Sequence, residues 1–307
     1  MAGLTSCVRP RMLDEDATAL SVPPVSRLGR WDGSRFVEVT PGSIPPSTLR
    51  VLVHGWTPGW EAEAGEGHQP GWEMIGSSGE RFEPWMGELA RMIVTHDAHA
   101  VVVAFSWADA SSTIRRARAH RRALVHTNAY GHVLAGAIET ALSDDFYESN
   151  GRIQLVGHSY GARVAAVAAV AMSQPPAQLT LFDAPDGLLV EIAGTEAELP
   201  ELLERLPIGW GSGHTFVDNY VSMIGRRYGW RDGLGSVRDV ALAPPFGSLS
   251  YRRRHLYPMA FYASSPGHGF GYDWSPLTGR TSAPQMGCYE QRVAGEESLA
   301  LGCSGSP

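Results

Sequence analysis

The chain contains no lysine: all 25 of its basic residues are arginine. That absence removes several chemistries at once. A Schiff base with a carbonyl substrate, the phosphate-gripping lysine of a P-loop and a Ser-Lys dyad all need the missing amine. Any nucleophilic serine here must use histidine as its base. Cysteine is nearly as scarce. Cys7, Cys288 and Cys303 form no C-x-x-C pair and no disulfide framework. Free, inert thiols are expected, with Cys288 and Cys303 the pair that an oxidising compartment would join. No metal and no cofactor is expected. Long hydrophobic runs are missing as well. No stretch approaches the roughly 20 apolar residues of a membrane span, and residues 1–20 lack the apolar core of a signal peptide. The chain is expected to be soluble, its compartment left open. Positive charge is in deficit, with a net charge of -7. An acidic protein gains little from phosphate contacts, so nucleic acid is not an expected partner.

What the sequence does have is 307 residues, 43% of them hydrophobic, enough for one large α/β core. Residues 1–47 are rich in proline and turn residues and read as an N-terminal extension, with a hairpin turning on Asp32-Gly33. Short apolar strands then alternate with helical segments. Strands are expected at Thr48–Val53, Ala100–Phe105, Ile153–Val156, Leu179–Phe182, Thr215–Met223 and Ser236–Leu242. Helices are expected at Phe82–Val94, Ile114–Leu142 and Tyr160–Met172. This β-α-β-α order predicts a mostly parallel central sheet flanked by helices, over a catalytic domain spanning 48–275. Residues 276–307 read as a loop-rich tail. In such a sheet ligands sit beyond the carboxyl ends of the strands, so functional residues belong just after each strand.

One such position stands out. Ile153–Val156 runs into Gly157-His158-Ser159-Tyr160-Gly161, a G-x-S-x-G between an apolar strand and an alanine-rich helix. The spacing places a serine on a sharp strand-to-helix turn, with glycines two residues either side so that strand and helix can approach. Its hydroxyl is pushed above the sheet, and the backbone N–H of Tyr160 points into the same space. Arg50–Val53 runs likewise into His54-Gly55-Trp56, a turn suited to supply a second oxyanion donor from the backbone of Trp56. His54 itself reads better as a structural histidine bonded to its turn than as a base.

These motifs resemble the pancreatic lipase family of α/β-hydrolases, and the likeness runs along residues 48–265. Its His-Gly-aromatic turn is met by His54-Gly55-Trp56, and its acid-Trp strand end by Ser106-Trp107. Thr127-Asn128-Ala129 resembles the family's long helix with a central Asn. Its Gly-His-Ser-x-Gly-Ala is met by Gly157–Ala162. Its Leu-Asp-Pro-Ala acid stretch corresponds to Leu181-Phe182-Asp183-Ala184-Pro185, in scrambled order, and its Phe-Val-Asp strand to Phe216-Val217-Asp218. Its catalytic His-Leu is met by His255-Leu256. The family's disulfides and C-terminal domain have no counterpart. The resemblance implies an α/β-hydrolase fold and a lipase or esterase: a carboxylic ester hydrolase with a Ser-His-Asp triad, an acyl-enzyme intermediate and an ester or lipid small molecule as substrate. Contact with a lipid interface would be transient.

In this fold the base follows the serine late in the chain. His255 is preferred and His268, in a Gly-rich loop, is second; His214 sits at the wrong end of a strand. Asp183, directly after an apolar strand, is the preferred acid. Asp218 is the alternative, although its place inside a strand suits a structural hydrogen bond better. Lid or cap elements are expected at 57–81 and 224–254. Trp56, Trp60, Trp72 and Trp85 cluster in sequence near the oxyanion turn, Trp60 and Trp72 as an acyl-pocket wall or flap. The arginine run from Arg115 to Arg122 reads as a solvated helix face. The alternatives in function are a phospholipase or an amide or peptide hydrolase on the same fold, and a non-catalytic binding protein that kept it.

Overall fold

Six residues of unbroken β-branched and apolar character, Ala100–Phe105, have no polar face to offer water, and all six are buried. Such a strand needs cover on both sides. The computed structural model, which describes residues 27–56, 74–75, 81–82, 84–111, 119–185, 199–228, 237–243, 251–279, 289–293 and 299–302, supplies it. The strands are β1 (Leu28–Trp31), β2 (Phe36–Glu38), β3 (Thr48–Val53), β4 (Met74–Ile75), β5 (Arg81–Phe82), β6 (Ala100–Phe105), β7 (Arg152–His158), β8 (Gln178–Phe182), β9 (Phe216–Val221), β10 (Val237–Ala243), β11 (Tyr289–Val293) and β12 (Leu299–Gly302). The helices are α1 (Pro84–His96), α2 (Ala108–Ser111), α3 (Ala119–Ala141), α4 (Tyr160–Ala171), α5 (Leu199–Glu204) and α6 (Tyr251–Ala263). Ten strands form one sheet in the order β12-β11-β10-β9-β8-β7-β3-β6-β1-β2, parallel from β6 to β11. The α/β class with a mostly parallel sheet and flanking helices is therefore as expected. None of the described helices is long and apolar enough to cross a membrane.

Alternation along each strand divides the core in two. Val51, Leu155, Leu179 and Val217 face α3 and α4 in one cluster. Leu52, Val156, Phe182 and Tyr220 face α1 and α6 in the other. On that second face a row of polar side chains crosses the sheet in register: Arg50 beside Gln154, Gln154 beside Gln178, Thr180 beside Asp218, and Asp218 beside Arg238. All six are buried. Arg50 donates to Gln154 and to Tyr272 Oη, the latter at 3.1 Å. Gln154 donates to Thr180 at 2.8 Å and to Tyr262 Oη of α6 at 3.2 Å. The guanidinium of Arg238 lies 4.6 Å from the ring of Trp274. The row thus ties the end of α6, and the 3₁₀ turn Gly271–Trp274 after it, to the middle of the sheet.

Several boundaries differ from those expected. The hairpin of the N-terminal extension is no appendage, because β1 pairs antiparallel with β6 and closes one edge of the sheet. The expected loop-rich tail supplies β11, β12 and a 3₁₀ turn at Pro276–Thr278. Glycine and serine there mark the connections and hid two short strands. The expected cap at 224–254 contains β10, a core strand, so it is not one continuous lid; residues 229–236 and 244–250 lie outside the described residues. Of the expected lid at 57–81, only the small antiparallel pair β4–β5 is described. Trp60, Trp72, the three cysteines and the side chains of the arginine run also lie outside the described residues.

Candidate active site

The carboxyl ends of β3, β7, β8 and β9 lie side by side and carry the residues of interest. Ser159 follows β7 directly, at φ 54° and ψ -130°. Asp183 follows β8 directly, at φ 46°. His158 and Phe182 are register partners, so the two left-handed residues sit on neighbouring strand ends. Non-glycine residues adopt such angles only when their surroundings impose them. Here the backbone ladder does so, since Ser159 N–H donates to Phe182 O at 2.9 Å and Asp183 N–H to Tyr220 O at 2.7 Å.

The glycines of the motif are steric necessities. A Cβ on Gly157 would lie 2.4 Å from Ala162 Cα, and one on Gly161 would lie 2.2 Å from His54 O. Helix α4 therefore packs directly on its own strand and on the His-Gly turn after β3. Gly55 lies against the serine itself, with its virtual Cβ 2.8 Å from Ser159 Cβ. His54 is structural. Its Nε2 accepts from Trp107 N–H at 3.1 Å, which leaves Nδ1 to donate to Gly55 O at 2.9 Å. Its carbonyl accepts from Trp107 Nε1–H at 2.7 Å. With the Gly55 carbonyl turned to His54, the N–H of Trp56 in the same planar peptide points the opposite way.

Asp183 meets His255. Oδ2 lies 2.6 Å from His255 Nδ1, and Oδ1 accepts backbone N–H groups from Ser222, Met223, Ile224 and Gly225 at 2.9–3.2 Å. Burial pushes this carboxyl up; the His255 bond and the N–H groups of Met223 and Gly225 outweigh it and hold it at about 2. A carboxylate only accepts, so Nδ1 carries a hydrogen, and in the neutral ring the lone pair is on Nε2. The imidazole of His255 lies 4.5 Å from that of His158, the residue before Ser159.

The alternatives lie elsewhere. Asp218 is buried mid-strand and accepts from Thr180 at 2.7 Å, Gln178 at 3.1 Å and Tyr220 at 3.0 Å. Burial outweighs these three donors and raises it to about 6. His268 is exposed and stacks on Phe270, and His214 is exposed too. His255 lies within α6.

Sequence reasoning passed over His158 and Ser222. His158 is 4% exposed, with Trp85 edge-on at 6.0 Å. Burial first, then charge at His255, drives its pKa well down, so the ring is neutral. Its Nε2 faces the His255 carbonyl at 3.1 Å and carries the hydrogen. Ser222 Oγ donates to the Arg254 carbonyl at 2.7 Å. The only signal in the sequence was that His158 filled the variable position of the serine motif.

No family model matches the chain, and no curated protein matches it. Among solved structures it is similar to a proline iminopeptidase from Mycobacterium smegmatis, at 9% identity and a TM-score of 0.27, over 82% of this chain and 84% of that one.

Proposed function

We propose that the protein is a serine hydrolase of the α/β-hydrolase type that cleaves carboxylic esters through an acyl-enzyme. The observation that carries this reading is the 2.6 Å contact between Asp183 and His255, beside the strained turn that presents Ser159. His255 Nε2 takes the proton of Ser159 Oγ as the oxygen attacks the ester carbonyl. The imidazolium that forms is stabilised by Asp183. It returns the proton to the leaving alcohol, and water then releases the acid by the same steps. The N–H of Trp56, aimed by the His54–Gly55 bond, and the N–H of Tyr160, at the start of α4, hold the oxyanion. Each such donor contributes about 3 kcal/mol to the transition state. The preference for esters rests on the lipase-like run of motifs from His54 to His255.

Two measurements test this. A fluorophosphonate should label the wild-type protein on Ser159 and leave Ser159→Ala unlabelled. On p-nitrophenyl esters of two to sixteen carbons, turnover should be seen in the wild type and disappear in folded Ser159→Ala. Turnover by that variant would sink the reading. Labelling with activity on anilides alone would keep the hydrolase and remove the ester preference.

A further inference from the structure

The proposed base sits in a helix with a proline four residues after Arg254. In α6 the carbonyl of Arg254 would accept from the N–H of residue 258, and Pro258 has none. That carbonyl instead accepts from outside the helix, from Ser222 Oγ at 2.7 Å. The next carbonyl along, that of His255, receives His158 Nε2–H at 3.1 Å. The origins of the two donors matter. Ser222 belongs to the turn whose N–H groups hold Asp183, its own included at 3.0 Å. His158 is covalently joined to Ser159. The main chain around His255 is therefore fastened once, at the Arg254 carbonyl, to the turn that holds the acid and once, at its own carbonyl, to the residue before the nucleophile, independently of the bond at Nδ1. The His158 ring also lies against the His255 imidazole, tilted by 46° with centroids 4.5 Å apart.

We infer that His158 and Ser222 are positioning residues for the base: their side chains hold the His255 carbonyl and the Arg254 carbonyl, the latter deprived of the helix's own donor by Pro258, and so set where His255 lies between Ser159 and Asp183. This inference rests on the serine-hydrolase reading above. It has a physical motive. The imidazole must reach the serine and then the leaving group, and a displacement of about 1 Å costs on the order of a hundredfold in rate. The bond at Nδ1 fixes one ring atom, and the two bonds on the main chain fix the backbone from which the ring projects.

The test uses the full chain and a p-nitrophenyl ester, with fluorophosphonate labelling rate and circular-dichroism melting alongside. His158→Ala should lower kcat by about ten- to a hundredfold with KM changed less than twofold. His158→Gln, which keeps an N–H donor at comparable reach, should recover most of the loss. Ser222→Ala should lower kcat in the same sense and also lower the melting temperature. Pro258→Ala restores an N–H for the Arg254 carbonyl, so Ser222→Ala made in that background should cost little further stability. Wild-type kcat in folded His158→Ala overturns the inference, as does His158→Gln behaving like His158→Ala with a loss that tracks unfolding. If the wild type neither labels nor turns over, the hydrolase reading fails instead. The melting cycle of Ser222 with Pro258 then still judges the contact, and full additivity in it would overturn the clamp.

Discussion

At Gly55 there is no room for a side chain. A Cβ would lie 2.8 Å from Ser159 Cβ and 3.0 Å from the His158 carbonyl, and that carbonyl cannot rotate away. Gly55→Ala must push the His54–Trp56 turn and the serine apart. The expected result is a protein that folds and loses about a hundredfold in kcat, the scale set by removing one oxyanion donor. Steady-state kinetics on a p-nitrophenyl ester, with circular dichroism to confirm folding, would measure it. Unchanged kcat would move the oxyanion site away from this turn. At this scale much was legible. The glycines around Ser159 announce a close approach because only a missing side chain permits one. Asp183 stood out as a candidate because it directly follows a buried strand, and the structure places it against His255. His158 was not, since its partner is the carbonyl of a residue far along the chain and no local pattern encodes it.

The turn from Ser222 to Gly225 is an element built around one carboxylate. Four N–H groups converge on Asp183 Oδ1 while Oδ2 orients the imidazole, so the side chain stabilises a loop and fixes a tautomer together. Asp183→Asn keeps an acceptor for the loop but places an N–H opposite His255 Nδ1. The ring must then carry its hydrogen on Nε2, which under the proposed mechanism bars it from accepting the serine proton. A fall of about ten-thousandfold in kcat is expected, with KM little changed. Because the folded carboxyl is held at about 2, below its unfolded value, its contribution is present above about pH 4 and is lost as pH falls through 2. That contribution is about 2 kcal/mol. Urea titrations at pH 7 and at pH 2 should show the full Asp183→Asn deficit at the first and only a small remainder of it at the second; equal deficits would argue that the loop holds without the charge. Element positions were well marked where an apolar run was unbroken, as in β6, or where small apolar residues followed a strand, as in α4. Helix α6 was obscured. Three consecutive arginines precede His255 and Pro258 follows it, a composition that hides helical periodicity.

Across the whole molecule, the polar row from Arg50 to Arg238 places one ionisable acid, Asp218, near the middle of the sheet. Arg50 and Arg238 lie in the same row, and the Tyr220 and Tyr262 hydroxyls border it. Burial raises Asp218 to about 6, above its unfolded value. The sign is therefore opposite to that of Asp183: its contribution is fully present below about pH 4 and is lost as pH rises through 6. The span is about 3 kcal/mol. In Asp218→Asn the carboxamide keeps an acceptor for Thr180 and Gln178 and does not titrate. The stability of the wild type relative to Asp218→Asn should fall between pH 4 and 6 and stay level above pH 7. Urea midpoints across that range would show it, and a flat difference would remove Asp218 as the titrating group. The α/β architecture was readable from the alternation of strands and helices. The sheet's edges were not, because pairing of β1 with β6 and of β11 with β10 joins segments distant in sequence, and edge strands carry weak apolar patterns.

The same row carries a consequence for how the chain finds its sheet. Parallel strands of valine and leucine are nearly interchangeable, and sliding one past its neighbour by one residue exchanges its two faces. For β9 that slip would turn Asp218 toward the apolar layer beneath α4, and for β3 it would do the same to Arg50. An unmatched charge in such a layer costs several kcal/mol, far more than a misplaced methyl group. The row therefore acts as a proofreading key: it adds little to the correct sheet and heavily penalises the nearly correct ones.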